Sequence, residues 1–128
     1  MTKKNDFHPV FKKLKAVLKP YEGKMVVVHD TDSHYYLDTS YVMRNKRRLC
    51  FAAVRVGKAY VSFHLMPVYT SPDLLKGLSP ELGKRMQGKS CFNFKAVDDK
   101  LFKELGKLTK SGFQKFTDPE FLRKITTR

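Results

Sequence analysis

The chain predicts an α+β protein, an antiparallel sheet of about five strands packed against helices in a two-layer sandwich, with a helix first. Three observations predict it. Residues 7–18 repeat apolar side chains at helical spacing, residues 49–66 alternate as two strands about a glycine turn, and residues 98–116 return to helical spacing. At 128 residues the chain fits one domain, spanning 1–128, with one core; 41% apolar residues with 12% aromatics argue for folding despite 30% charge.

In the first helix, Phe7, Val10, Phe11, Leu14, Val17 and Leu18 form the stripe, and Lys12, Lys13, Lys15 and Lys19 fall largely outside it. Asn5 or Asp6 can cap its start, Pro9 suits the first turn, and Pro20 ends it. Residues 25–28 and 35–37 are predicted strands. Between them runs a polar loop, His29-Asp30-Thr31-Asp32-Ser33-His34. His29, Asp30, Asp32 and His34 are ligand types for zinc or iron, but nothing in their spacing fixes a geometry, and a polar turn is the plainer expectation.

Gly57-Lys58 predicts a two-residue type II′ hairpin turn, which pairs Val56 with Ala59, Val54 with Val61, Ala52 with Phe63 and Cys50 with Leu65. Because side chains alternate, these eight share the core face. The opposite face then carries Phe51, Ala53, Arg55, Tyr60, Ser62, His64 and Met66. Phe51, Arg55, Tyr60, Ser62 and His64 are the candidate ligand-binding residues, because rings beside a basic group and hydroxyls make a stacking platform on an open sheet. Ser62 and His64 point the same way. Two apart on one strand, they lie about 6 to 7 Å from each other, too far for one to activate the other.

Ser71-Pro72-Asp73 and Ser79-Pro80-Glu81 each open a helix with a serine cap, a first-turn proline and an acid, and Leu74, Leu75, Leu78 and Leu82 supply apolar sides. Residues 83–90, GKRMQGKS, spell the phosphate loop G-x-x-x-x-G-K-[ST]. That loop works where it follows a buried strand and opens a helix whose amides cradle phosphate. Here a helix start precedes, and Cys91-Phe92-Asn93-Phe94 follows as a short alternating strand, so the context predicts a turn. No catalysis and no cofactor are expected. Asp98 caps a helix carrying Leu101, Phe102, Leu105 and Leu108, prolonged by Phe113 and Phe116. Thr117-Asp118-Pro119 restarts a short helix with Phe121, Leu122 and Ile125, and residues 1–6 and 124–128 are expected to fray.

The net charge of +14 suits phosphate or other anionic partners. It is spread evenly, with 13 basic against 5 acidic residues over 1–64 and 13 against 7 over 65–128. The densest group, Arg44, Lys46, Arg47 and Arg48, lies in a predicted loop; it is a candidate anion or nucleic-acid contact or else a solvated surface. No apolar run approaches the roughly 20 residues that span a bilayer, and the start lacks the apolar segment of a signal peptide. Cys50 and Cys91 make no disulfide framework and are expected to be buried thiols. The expectation is a cytoplasmic protein without a membrane partner.

Two stretches carry a family resemblance: Tyr60-Val61-Ser62-Phe63-His64-Leu65-Met66-Pro67-Val68-Tyr69 and Met86-Gln87-Gly88-Lys89-Ser90-Cys91-Phe92-Asn93-Phe94. The chain resembles the YdhG-like domains of unknown function, small bacterial proteins similar to the frataxin-type fold, over most of its length. The resemblance implies an antiparallel sheet with helices packed on it and a helix-to-strand turn at Gly88-Lys89-Ser90. Some relatives are described as iron chaperones similar to frataxin, whose iron surface is an acidic first helix and neighbouring strand. Here Lys12, Lys13, Lys15 and Lys19 stand where carboxylates are wanted, and no acidic-ridge residue carries over. The expected function is binding of an anionic ligand or partner, with an iron chaperone and a nucleic-acid-binding protein as the alternatives.

Overall fold

The computed structural model describes residues 7–126, so Asn5 and Asp6 lie outside the described residues, as do most of the ends expected to fray. The predicted N-terminal helix is α1 (His8–Leu18), with proline in its first turn and Val10, Phe11, Leu14 and Leu18 buried. A 3-10 turn, Lys19–Lys24, holds Pro20 and leads into the sheet.

The sheet has six strands, one more than predicted: β1 (Val26–Asp30), β2 (His34–Val42), β3 (Arg48–Val56), β4 (Val61–Leu65), β5 (Met86–Gln87) and β6 (Cys91–Phe94). Their order is β1-β2-β3-β4-β6-β5, and every neighbouring pair is antiparallel. β5 is the strand missed, two residues on the edge, too short for alternation to show. The loop between β1 and β2 shrinks to three residues because the Thr31 hydroxyl accepts the Ser33 and His34 amides, and so His29 and His34 stand in strands.

The hairpin register is two residues away from the predicted one: Val56 pairs with Val61, Val54 with Phe63, and Ala52 with Leu65. Four residues make the turn, closed by the Gly57 amide donating to the Tyr60 carbonyl at 2.8 Å. A type II′ turn needs positive φ at its glycine, and only Gly77 and Gly88 among the described glycines have it. Gly57 serves close approach instead, since a Cβ there would stand 3.1 Å from the Tyr60 carbonyl oxygen. A shift of two keeps every residue of β4 on its predicted face.

A β-bulge in β3 does change faces. Leu37 pairs with Ala52 while Asp38 pairs with Cys50, so Phe51 is the extra residue. Phe51, predicted for the second face, is fully buried in the core against Tyr21, Phe113 and Phe116, and Cys50, predicted for the core, turns to the second face.

The helices share the core side. The Lys15 ammonium of α1 lies over the Tyr35 ring and pairs with Asp30. α4 (Asp99–Phe116), capped by the Asp98 carboxylate accepting the Leu101 amide, packs Phe102 on Phe94 and Phe113 on Phe51. After β4 the chain turns at once into α2 (Met66–Thr70), which buries Pro67 and Val68 and takes Met66 off the predicted second face. Gly112 of α4 lets α2 approach: a Cβ there would be 2.7 Å from that of Pro67. Ser71 caps nothing and is followed by a single 3-10 turn, Pro72–Leu75. Ser79 caps α3 (Pro80–Gly83) as expected, its hydroxyl accepting the Leu82 amide and bonding Glu104 of α4 at 2.6 Å. α5 (Pro119–Thr126) keeps residues 124–126 in the helix, where the Thr126 hydroxyl lies 3.0 Å from that of Tyr41. No helix of the described residues is long and apolar enough to cross a membrane.

Candidate functional site

Burial alternates along the central strands: odd-numbered residues of β4, Val61, Phe63 and Leu65, are buried, and Ser62 and His64 are half-buried. β2 and β6 show the same alternation. Among the described residues no helix crosses the half-buried side, which leaves an open sheet face. Side chains directly opposite each other share a face, so two rows can be read across it. One is His34, Arg55, Ser62 and Asn93; the other is His29, Tyr36, Ala53, His64, Cys91 and Gln87.

At the β1–β2 end of these rows the His29 and His34 rings stack 4.6 Å apart, and both meet the Tyr36 ring edge-on. Burial holds the His34 imidazole below its usual pKa, and the nearby His29 and Arg55 charges push the same way. The other two metal candidates do not join this pair. Asp30 faces the helix side and is taken by Lys15, whose ammonium lowers the carboxyl's pKa, and Asp32 lies in the exposed turn. Among the described residues, no three His, Cys, Asp or Glu converge to hold a metal ion.

Ser62 and His64 find separate partners on β6. The Ser62 hydroxyl donates to the Asn93 side-chain carbonyl at 2.7 Å, and the Asn93 amide donates to Gln87 at 2.7 Å. His64 Nδ1 lies 3.0 Å from the Ser90 hydroxyl and 3.5 Å from Cys91 Sγ. Burial depresses the His64 pKa and favours the neutral ring.

Beside Gln87 and Asn93 opens a cleft of about 360 Å³ lined by Tyr60, Lys84, Arg85 and Lys95, with no acidic side chain. This cleft takes in one predicted residue, Tyr60, and Ser62 reaches its lining through Asn93; Arg55 stands exposed in the same row. A larger cleft, about 630 Å³, sits on the helix side of the sheet edge, where Val68, Pro72, Leu75, Met86 and Ile125 line an apolar wall with Lys89 at the turn.

The phosphate-loop spelling falls across the end of α3, all of β5 and the β5–β6 turn, with Gly88 at φ +79°. Ser90 ends the turn and is followed directly by strand β6, as its context predicts, rather than by a helix N-terminus. The predicted turn is thus strand to strand rather than helix to strand, because β5 intervenes. The basic loop holding Arg44, Lys46 and Arg47 closes the β2–β3 hairpin, eight residues of β2 beyond His34, or roughly 26 Å. Arg48 is in β3, its Nε 3.5 Å from Asp38. The two groups of candidate residues are therefore not brought together.

Cys50 and Cys91 are free, and both are half-buried on the open face rather than in the core. Sequence reasoning missed Gln87, Ser90, Cys91 and Asn93 as site residues. The Cys-Phe-Asn-Phe alternation puts Cys91 and Asn93 on one side, but that β6 lies beside β4 is a long-range fact no local pattern carries.

Fold and site together define an α+β protein with a helix-covered sheet and an open, basic, imidazole-bearing face. Compared with known protein families, with characterised proteins and with solved structures, the chain matches none.

Proposed function

We propose that the chain is a cytosolic, non-catalytic binding protein of the YdhG-like class, which takes a small anionic ligand at the basic end of its open sheet face. The observation that supports this is the cleft itself: three cations, Lys84, Arg85 and Lys95, stand around it with the Tyr60 ring and no carboxylate. Ser62, Asn93 and Gln87 hold one another by hydrogen bonds, which orients their polar groups without side-chain freedom to lose on binding. An anion here meets fixed donors and a concentrated positive field. The first helix gives no support to an iron cargo, since it presents Lys12 and Lys13 outward and Lys15 occupies Asp30.

Titration of the labelled protein with citrate, ATP and a short RNA tests the reading by amide and side-chain shifts. Shifts centred on Tyr60, Asn93 and Gln87 are expected, with affinity falling about tenfold or more when Lys84→Glu and Arg85→Glu are combined. Silence at those residues with all three probes overturns the proposal. Shifts centred instead on Arg44 and Arg47, with a steep loss of RNA affinity as salt rises, would replace it with a nucleic-acid reading.

A further inference from the structure

We propose that Cys91 is the reactive thiol of this chain, a site of thiol–disulfide exchange with a small anionic disulfide, with His64 as the base that takes its proton. The substrate class rests on the anion-binding reading above; the thiol chemistry stands on its own geometry.

Cys91 and His64 are directly paired residues of antiparallel strands, so the backbone ladder fixes their side chains together on the open face. Sγ stands 3.5 Å from Nδ1, and Cys91 as a residue is half-buried rather than buried. With the ring proton on Nε2, Nδ1 is an acceptor within reach of either the Ser90 hydroxyl or the Cys91 thiol. Burial favours that neutral ring over the imidazolium, so in this tautomer Nδ1 is unprotonated before attack, with the Ser90 hydroxyl competing for its lone pair. The step balances without an outside oxidant beyond the disulfide. The thiol proton passes to Nδ1, the sulfur attacks one sulfur of the disulfide, the S–S bond breaks, and the second half leaves as a thiolate. The anionic preference comes from the neighbouring cleft: Gln87, which pairs with Cys91, and Asn93 both line it beside Lys84, Arg85 and Lys95.

Cys50 is the internal control. It occupies the same face, but burial drives its thiol up to about 11, with the nearby Asp38 carboxylate adding to the rise and Tyr36 partly opposing it. At neutral pH that leaves roughly a hundredfold less thiolate than an ordinary cysteine has. The two sulfurs do not bridge each other, because β4 lies between β3 and β6 and two strand spacings are about 9.5 Å, beyond disulfide reach.

The experiment uses the intact chain at pH 7.5, reading each cysteine by peptide mass spectrometry. Iodoacetamide, a neutral reagent, is expected to label Cys91 at least tenfold faster than Cys50, with the gap closing in urea. In His64→Gln the Cys91 rate should fall about tenfold or more, and in Ser90→Ala, which frees Nδ1 for the thiol, it should hold or rise. Equal rates for the two cysteines overturn the reactive-thiol proposal. So does a Cys91 rate unmoved by His64→Gln, or one that falls in Ser90→Ala if the glutamine variant does not fold. Oxidised glutathione should then form a mixed disulfide at Cys91 several times faster than the uncharged hydroxyethyl disulfide. Equal rates for those two, with Cys91 still the fast cysteine, overturn the anionic preference alone.

Discussion

The two faces of the sheet are made of the same strands, yet they differ in almost every side chain. Leu37, Val54, Phe63, Leu65 and Phe92 lie on one face with no exposure at all, while His34, Arg55, Ser62, His64 and Asn93 alternate with them on the other. The difference is what covers them. α1 and α4 remove the first face from water, and burial of each large apolar side chain there stabilises the fold by about 1.5 to 3 kcal/mol. Among the described residues no helix covers the second face, so its residues are free of the demand to be apolar and can hold polar chains such as Ser62, Asn93 and Gln87. One face keeps the molecule folded; the other is available for chemistry.

Neighbours on a single strand put this contrast to its hardest test. Phe63→Ala removes a fully buried ring from the centre of the core and should cost about 3 to 5 kcal/mol in urea unfolding. Ser62→Ala, one residue earlier, loses a hydrogen bond to Asn93 on the half-open side and should cost less than about 1.5 kcal/mol. Comparable losses from the two would mean that the faces are not divided as described. A smaller pair carries the contrast into the helix layer. Gly112→Ala drives a methyl against Pro67, an overpacking penalty of about 1 to 3 kcal/mol that should outweigh the roughly 1 kcal/mol alanine gains in a helix. Gly106→Ala in the same helix meets nothing within 4 Å and should be neutral or stabilising. Thermal unfolding should therefore drop below that of the parent chain for Gly112→Ala and stay level or rise for Gly106→Ala.

Much of this division is legible in the chain. The alternation of Val61 to Leu65 and of Cys91 to Phe94 places their inner and outer residues correctly, because a register shift of two leaves faces unchanged. Phe51 and Cys50 defeat the same logic. One inserted residue reverses the alternation, and a bulge leaves no mark in the pattern of side chains, so a ring that looks like an exposed stacking surface is in fact the contact for Tyr21, Phe113 and Phe116. The candidate site is legible only in half. Tyr60, Ser62 and His64 come from a local hairpin, but Lys84, Arg85, Cys91 and Asn93 reach them only through the non-local pairing of β4 with β6. The phosphate-loop spelling shows the reverse case, a local pattern that long-range structure has turned into a hairpin.

The mildest effect tests the open face by its protons. Burial places the His34 and His64 imidazoles below the ordinary histidine value, so between their folded values and about 6.5 the unfolded chain binds more protons than the folded one. Stability then rises with pH through that window and is lost as pH falls below about 6.5. Asp30, lowered by Lys15, gives stability that is lost only near and below its ordinary value of 3.8, so the two effects separate along the pH axis. Urea midpoints at pH 7.5, 6.5 and 5.5 should fall in that order. His64→Gln, at the more deeply placed of the two rings, should flatten more of the slope than His34→Gln does. A midpoint that holds level or climbs as the pH is lowered from 7.5 to 5.5 would contradict the depression of the two imidazoles by burial. The open face would then lack the partial burial that depresses the His34 and His64 imidazoles.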